Sequence, residues 1–197
     1  MLVTAFAPYD EWRENASERA LEALRADPPA GVELETRVYP VDYAEVERRL
    51  ADDLAGGFDW ALHLGQAPGR CRIELEAVAL NLRSEAEAGE GATRPLLGEG
   101  PEALRSNAPL AGWVEAWRGD GVPSAVSFHA GTFLCNAALY WSLWHAQRQG
   151  LGTRCAFAHL PLTPAQALGR PEAAAHLPSE WVAGALGRLL ARLDCDT

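Results

Sequence analysis

Cys135 is the residue of this sequence whose position most favours nucleophilic chemistry. An extended run, Ala125–Phe128, leads into the small-residue turn Ala130–Thr132, and an apolar helix is predicted over Phe133–Gln149. Cys135 then lies in the first turn of that helix, where backbone N–H groups lack partners within the helix and the helix dipole is positive. Such a setting stabilises a thiolate and offers N–H donors to a developing oxyanion.

The turn before this helix contains Gly131, which is expected to allow a close backbone approach that a side chain would block. The alternative interpretation of Cys135 is a buried structural cysteine, which is common in apolar segments. The position of the thiol alone leaves both interpretations open.

A nucleophilic cysteine needs a base, usually a histidine, and a group that orients the base. Among the five histidines, His159 has the most suitable position, because the predicted strand Thr153–Leu160 ends beside it and Pro161 follows. Sites in parallel α/β sheets form at the carboxyl ends of strands. Cys135 lies just past the end of its own strand, so we expect it to converge with His159 at one edge of the sheet. His159 taken alone also fits a structural role.

Other catalytic patterns are missing from the sequence. Cys155 and His159 share a face of a predicted strand, but they are four positions and hence roughly 13 Å apart, too far to hold one metal ion. Gly65–Gly69 lacks the Lys-Ser/Thr pair of a phosphate-binding loop. Ser127 and Ser179 lack the glycines of a nucleophile elbow. We therefore expect no metal ion and no cofactor.

Composition and charge are those of an ordinary globular protein, with 48% hydrophobic and 22% charged residues. The formal net charge of −10 argues against binding to nucleic acid or to an anionic membrane. No run approaches the ~20 apolar residues of a membrane span, and the N-terminus is typical of a first strand rather than a signal peptide. Four scattered cysteines predict reduced thiols and a cytoplasmic location.

Strands and helices are predicted to alternate along the chain. The predicted strands are Leu2–Phe6, Val32–Tyr39, Asp59–Leu64, Arg72–Leu82, Ala125–Phe128 and Thr153–Leu160, although Glu74–Leu80 also fits a helix. The predicted helices are Asn15–Leu24, Tyr43–Leu54, Leu110–Arg118, Phe133–Gln149 and Ser179–Leu193, the last capped by Ser179, and residues 84–110 are expected to be irregular. This order predicts a single domain over residues 1–197, a three-layer α/β/α sandwich with a largely parallel sheet.

Four segments together resemble the pyroglutamyl peptidase I (pyrrolidone-carboxylate peptidase) family of cysteine peptidases. Gly65–Asn81 resembles a Gly-Gln-Ala-Gly-Gly-Arg segment that leads, in the family, to a catalytic Glu and then Val-Ala-x-Asn. Ser127–Asn136 is similar to Ser-x-x-Ala-Gly-Thr-Phe/Tyr-x-Cys-Asn, and His159–Pro161 to a His, an apolar residue and Pro. Thr4–Tyr9 loosely matches the family's Thr-Gly-Phe-x-Pro-Phe. Order, spacing and length agree along essentially the whole chain.

This resemblance implies a catalytic triad of Cys135 as nucleophile, His159 as general base and then acid, and Glu76 as the carboxylate that orients the imidazole. It also implies an apolar pocket for a pyrrolidone ring, with a polar partner for the ring amide. The implied pocket residues are Phe6, Tyr9, Asn15, Gln66 and Phe133. The implied activity is removal of N-terminal pyroglutamate from peptides through a thioester intermediate, and the implied assembly is a homotetramer.

The sequence departs from the family pattern around the expected recognition surface. Ala5 replaces a glycine, and Tyr9–Glu11 replaces Phe-Gly-Gly. Ala86–Pro95 has no Arg at the place where the family has one after Asn81, and it lacks the Asp-Asn of that segment. Two alternative functions therefore remain: a related cysteine hydrolase acting on another small acyl or amide substrate, or a non-catalytic member that binds a small ligand.

Overall fold

The computed structural model describes residues 1–85, 91–170 and 172–194. The strands are β1 (Leu2–Phe6), β2 (Glu35–Tyr39), β3 (Trp60–Gln66), β4 (Ile73–Glu76), β5 (Val78–Leu80), β6 (Arg83–Ser84), β7 (Thr93–Arg94), β8 (Ala103–Arg105), β9 (Ser124–Ser127) and β10 (Arg154–Leu160). The helices are α1 (Ala16–Ala26), α2 (Tyr43–Leu54), α3 (Leu110–Gly119), α4 (Leu134–Arg148), α5 (Pro164–Leu168) and α6 (Ser179–Asp194).

The central sheet has six strands in the order β2-β1-β3-β10-β4-β9. Neighbouring strands run parallel except β10 and β4, which pair antiparallel. The predicted α/β class with a largely parallel sheet is confirmed. Because β4 and β9 pair parallel with each other, both run opposite to β10. The carboxyl ends of β9 and β10 therefore lie at opposite edges of the sheet. The expected route, in which Cys135 and His159 both follow carboxyl ends at the same edge, is wrong.

Helices cover both faces of this sheet, which gives the three layers. One apolar core lies between the sheet and α1, α3 and α6; its members include Leu21, Leu24, Trp117, Leu186 and Leu190. A second core lies between the opposite face and α2 and α4; its members include Leu50, Leu139, Tyr140 and Phe157. Within the described residues, no helix is both long enough and apolar enough to cross a bilayer.

Side-chain alternation along the strands decides which residues face α4. Phe6 of β1 and Phe157 of β10 belong to the core on the α4 side, whereas Leu64 of β3 and Leu75 of β4 belong to the other core. Successive residues of a strand point to opposite faces. Gly65, Glu76 and His159 therefore share the face that α4 covers.

Several local expectations change in the structure. The predicted strand Arg72–Leu82 is extended but divides at Ala77 into β4 and β5, which excludes the helical alternative. The segment expected to be irregular contains the short strands β7 and β8, which pair antiparallel with β6 and β5. Residues 86–90 of this segment lie outside the described residues. Ser179 is the first residue of α6 rather than its cap, and α5 was not predicted.

Candidate active site

The turn before α4 exposes the start of that helix. Gly131 has φ +78°, a left-handed conformation that suits glycine, and a Cβ built there would have no atom within 4 Å. The expected close backbone approach at Gly131 is therefore wrong, and the backbone angle explains the glycine. Phe133 is the N-cap of α4 and makes no side-chain capping bond. The first N–H groups of α4 thus receive no acceptor from their cap residue.

Strand β6 holds this turn in place. The backbone N–H of Ser84 donates to the carbonyl of Thr132 at 2.7 Å, and the two hydroxyl groups also bond to each other. Cys135 is the second residue of α4, so it directly follows a turn that hydrogen bonds to β6 hold in place.

The thiol of Cys135 lies against the backbone of β3. A Cβ added to Gly65 would lie 2.9 Å from the Cys135 sulfur and 2.6 Å from the ring of Phe157. Gly65 pairs with His159 in the parallel register of β3 and β10. The absence of a side chain at Gly65 therefore makes room for the thiol directly over the strands that carry His159.

His159 and Glu76 form a buried hydrogen-bonded pair. The Nδ1 atom of His159 lies 2.7 Å from Oε1 of Glu76, and the two side chains are 7% and 0% exposed. The Phe157 ring packs against the imidazole with centroids 4.9 Å apart. Since a carboxylate only accepts, Nδ1 carries the proton in this bond, which leaves Nε2 for a second partner.

Cys135 is the other group that acts on the pKa of His159. Burial on its own lowers the pKa of His159, but the negative charge of Cys135, a hydrogen bond to Cys135 and the Glu76 carboxylate together raise it to about 9. The imidazole is therefore cationic at neutral pH when it faces the thiolate. The structure brings together the three residues of the predicted triad, although by a different route through the sheet from the expected one.

A small pocket opens beside the thiol. Its walls are Phe6, Tyr9, Asn15, Val41, Gln66, Phe133, Leu134 and Cys135, so all five predicted pocket residues line it. The free space is about 30 Å³, close to the share of one water molecule in the liquid. Phe133, which is 46% exposed, contacts the rings of Tyr9 and Tyr43 with centroids 6.4 Å and 5.7 Å away. Phe133 therefore forms a partly exposed wall at the mouth of this narrow pocket.

Gln66 is the pocket residue with an unused buried hydrogen-bonding group. Its Oε1 accepts from the backbone N–H of Ala16 at 2.8 Å and from Nε2 of Gln166 at 2.6 Å. Its own amide nitrogen is buried and makes no hydrogen bond of ordinary geometry within the described chain, but it lies near enough to the Tyr9 hydroxyl to affect its pKa. Because two donors bond to the same atom of Gln66, that atom is the carbonyl oxygen. The NH₂ group is therefore the end of the amide that is available to a ligand in the pocket.

Tyr9 and Asn15 contribute polar atoms of different kinds. Burial raises the pKa of Tyr9, the charges of Cys135 and Asp10 raise it further, and the Gln66 amide opposes them, so the phenol is neutral at pH 7. Asn15 caps α1 by accepting from Ser17 N–H at 3.0 Å, and its amide donates to the Ala7 carbonyl at 3.1 Å. Asn15 therefore forms part of the pocket wall, while its polar atoms are already hydrogen-bonded around the start of α1.

Sequence reasoning missed some residues that build the site. Gly65 interrupts the interior of β3, and a glycine there is a known sign of close approach. Gln166 completes a capping box with Thr163, a pattern that would have revealed α5. Val41 and Leu134 carry no such signal, because their place in the pocket depends on the packing of α2 and α4 against the sheet.

The remaining histidines lie elsewhere. His63 is fully buried beneath α4, His145 lies on α4, and His129 and His176 are in exposed loops. Among the residues that the structure describes, no three His, Cys, Asp or Glu side chains are arranged to hold a metal ion.

The sequence model of the pyroglutamyl peptidase family matches residues 1–189 of this chain. Pyrrolidone-carboxylate peptidase of Streptomyces coelicolor is 36% identical over 197 residues, covering 97% of this chain and 90% of that protein. Pyrrolidone-carboxylate peptidase 1 of Ralstonia nicotianae is 34% identical over 177 residues, covering 87% of this chain and 82% of that protein.

Solved structures are similar over the same length. The crystal structure of pyrrolidone carboxyl peptidase from Fervidobacterium islandicum AW-1 has a TM-score of 0.90 and 28% identity, and the match covers 98% of this chain and 96% of that one. The corresponding enzyme from Thermus thermophilus has a TM-score of 0.85 and 32% identity, with 96% and 98% coverage. The likeness therefore extends over nearly the whole fold.

Proposed function

The chain belongs to the pyroglutamyl peptidase family of cysteine omega-peptidases, and on that premise we propose that Cys135, His159 and Glu76 remove N-terminal pyroglutamate from peptides. The observation that carries this proposal is the unpartnered NH₂ group of Gln66 in an apolar pocket beside the Cys135 thiol. Pyroglutamate is a neutral lactam whose ring carbonyl is an acceptor for such a donor.

The first chemical step is attack by the Cys135 thiolate on the carbonyl that joins pyroglutamate to the next residue. The N–H groups at the start of α4, which have no acceptor from the cap residue, support the oxyanion of the tetrahedral intermediate. The imidazolium of His159 then protonates the leaving amine. The C–N bond breaks, and the acyl group remains on the sulfur as a thioester.

The second step is hydrolysis of that thioester. His159, now neutral, takes a proton from water, and the resulting hydroxide adds to the thioester carbonyl. Glu76 holds the Nδ1 side of the ring through its 2.7 Å hydrogen bond and stabilises the cation each time it forms. Collapse of the intermediate releases pyroglutamate and restores the Cys135 thiolate beside the His159 imidazolium.

Substrate selection follows from the pocket walls. Phe6, Tyr9 and Phe133 suit the uncharged ring, while Gln66 donates to its carbonyl and Asn15 fixes the wall at the start of α1. A free N-terminal glutamate carries charges whose burial in this pocket would be costly. We further propose that residues 1–197 act as one domain in the cytoplasm and that the assembly is a homotetramer.

The proposal is tested with a chromogenic pyroglutamyl amide. The wild-type protein is expected to release the chromophore, and Cys135→Ala is expected to abolish release. Cys71→Ala is the matched control, because Cys71 is an exposed free cysteine, and it should keep wild-type turnover. Iodoacetamide at mildly acidic pH should label Cys135 before Cys71 and Cys155.

Two results would contradict the proposal. No turnover by the wild-type protein would favour a non-catalytic binding protein. Faster turnover of an acyl amide without a lactam ring would favour a related hydrolase with another substrate.

A further inference from the structure

The short helix α5 lies behind the pocket wall and begins with a reciprocal capping box. The N–H of Gln166 donates to the hydroxyl of Thr163 at 3.1 Å, and the N–H of Thr163 donates to Oε1 of Gln166 at 2.9 Å. This second bond fixes which end of the Gln166 amide faces the helix terminus. The NH₂ end must therefore point away from α5.

The NH₂ group of Gln166 has two acceptors. It donates to the Glu14 backbone carbonyl at 2.9 Å and to Oε1 of Gln66 at 2.6 Å. Gln166 is 8% exposed, so neither bond is easily replaced by solvent. Every polar atom of the Gln166 side chain is thus used, and the bond to Gln66 has only one possible direction.

The direction of that bond decides the orientation of Gln66. With Gln166 and the Ala16 N–H both donating, the carbonyl oxygen of Gln66 must face them, and its NH₂ group must face the pocket. A flipped Gln66 would turn its NH₂ group against two donors and leave them unsatisfied, which is costly in a buried site. Gln66 by itself has no such preference, since its two ends are nearly equal in size.

We propose that Gln166 is a positioning residue that holds Gln66 with its donor toward the lactam carbonyl of the substrate. This inference rests on the proposed function, because it names how the same pocket selects its ring. The capping box of α5 fixes the orientation of the Gln166 amide, and Gln166 in turn fixes the orientation of the Gln66 amide. Gln66 then donates to the substrate. Gln166 itself touches neither the substrate nor the thiol.

Two variants of similar size separate this role from a purely structural one. Gln166→Met removes the donor, and Gln166→Glu replaces it with an acceptor that favours the flipped Gln66. The substrates are a pyroglutamyl amide and the matching cyclopentanecarbonyl amide, which keeps the ring size but lacks the lactam. Leu168→Ala is the control, since Leu168 belongs to the same helix and is 87% exposed.

We expect kcat/KM for the pyroglutamyl amide to fall about 10- to 100-fold in Gln166→Met, chiefly through KM, and further in Gln166→Glu. Turnover of the cyclopentanecarbonyl amide and the rate of Cys135 alkylation by iodoacetamide should change less than about threefold, because the triad is untouched. Leu168→Ala should match the wild type for both substrates.

Equal losses for both substrates, or a slower alkylation of Cys135, would show that Gln166 only supports the fold and would overturn the inference. Unchanged pyroglutamyl turnover in both Gln166 variants would overturn it as well, while the proposed function would stand. If the wild-type protein itself does not cleave the pyroglutamyl amide, the proposed function fails and the inference fails with it. If Gln166→Met does not fold, Gln166→Glu alone still gives the comparison between substrates.

Discussion

The Glu76 carboxylate is fully buried, yet only one of its oxygens is hydrogen-bonded. Oε1 meets His159, whereas Oε2 has no partner among residues 1–85, 91–170 and 172–194. A buried carboxylate with an empty oxygen is costly unless a nearby cation compensates. The raised pKa of His159 supplies that cation. Glu76 therefore stabilises the imidazolium of His159, which is the form that the proposed first chemical step requires.

Gly65 is the residue whose lack of a side chain most directly serves the nucleophile. Gly65→Ala would place a methyl group 2.9 Å from the Cys135 sulfur and 2.6 Å from the Phe157 ring. We expect kcat/KM to fall roughly 100-fold, since a displacement of about 1 Å has that effect on a reacting group. The added crowding should also lower the free energy of unfolding by about 1–3 kcal/mol. Steady-state kinetics and urea denaturation measure both effects.

Gly112→Ala provides the control for that substitution. Gly112 is an exposed residue of α3, and a Cβ there would meet no atom within 4 Å. Alanine should leave kcat/KM unchanged and raise helix stability by up to about 1 kcal/mol. Wild-type activity in Gly65→Ala would mean that the thiol does not depend on this space.

The catalytic residues that we propose were predicted from the sequence because their types and spacing resemble a known family. The residues that position them could not be identified in this way. The role of Gly65 depends on the register between β3 and β10, and the role of Gln166 depends on a bond across 100 residues of sequence. A local sequence pattern encodes neither the strand register nor the long-range hydrogen bond. The sequence does show a glycine inside a strand and a capping box, but not what they contact.

At the scale of elements, α4 is tied to the segment that follows Glu76 by Asn136. Its Oδ1 accepts from the N–H of Leu80 at 2.7 Å, and its NH₂ group donates to the carbonyls of Leu80 and Leu82, each at 2.9 Å. Asn136 is fully buried and directly follows Cys135. One side chain therefore joins the nucleophile helix to the strand region that carries the triad carboxylate.

Asn136→Ala is expected to loosen that connection. The substitution leaves three partly buried backbone groups without this partner, so the free energy of unfolding should fall by about 2–4 kcal/mol. Gln147→Ala, at an exposed position of the same helix, should change it by less than about 0.5 kcal/mol. Urea denaturation followed by circular dichroism measures the difference. Equal stability of the two variants would mean that α4 and β5 are held together by apolar packing instead.

The elements themselves were largely predictable, whereas their directions were not. Periodicity identified α1, α2, α3 and α6, each of which buries one face. A nearly continuous apolar run identified α4, which is buried almost all round. Nothing in Arg72–Leu82 or Ala125–Phe128 indicates that β4 and β9 run opposite to β10. Strand direction depends on how long connections cross the sheet, and alternation of side chains is the same in either direction. The alternation of side chains between the two faces of the sheet was therefore predictable. The directions in which β4 and β9 run were not.

At the scale of the whole molecule, His63 joins β1, β3 and α4 through a closed hydrogen-bond chain. The hydroxyl of Ser142 donates to the Ala138 carbonyl at 2.7 Å, so it accepts from Nε2 of His63 at 2.6 Å. Nδ1 of His63 then accepts from the Thr4 hydroxyl at 2.7 Å. This arrangement requires a neutral ring, and burial lowers the pKa of His63 to about 4.

Two histidines therefore limit stability from opposite sides of the pH range. The pKa of His159 is higher in the folded protein than in the unfolded chain, so its stabilising effect is complete below pH 6.5 and is lost as the pH rises through about 9. The pKa of His63 is lower in the folded protein, so its effect is present above pH 6.5 and is lost as the pH falls toward 4. We expect greatest stability between these flanks.

The acid flank offers a direct measurement. The contribution of His63 to the free energy of unfolding should fall by roughly 3 kcal/mol between pH 6.5 and pH 4, because each unit of pKa shift corresponds to about 1.4 kcal/mol. His63→Asn should be less stable than the wild type at neutral pH, but its stability should depend less on pH across this range. His176→Asn, at an exposed histidine, should keep the wild-type dependence. Urea denaturation at half-unit steps of pH gives the three curves, and parallel curves for the wild type and His63→Asn would show that His63 does not cause the acid loss.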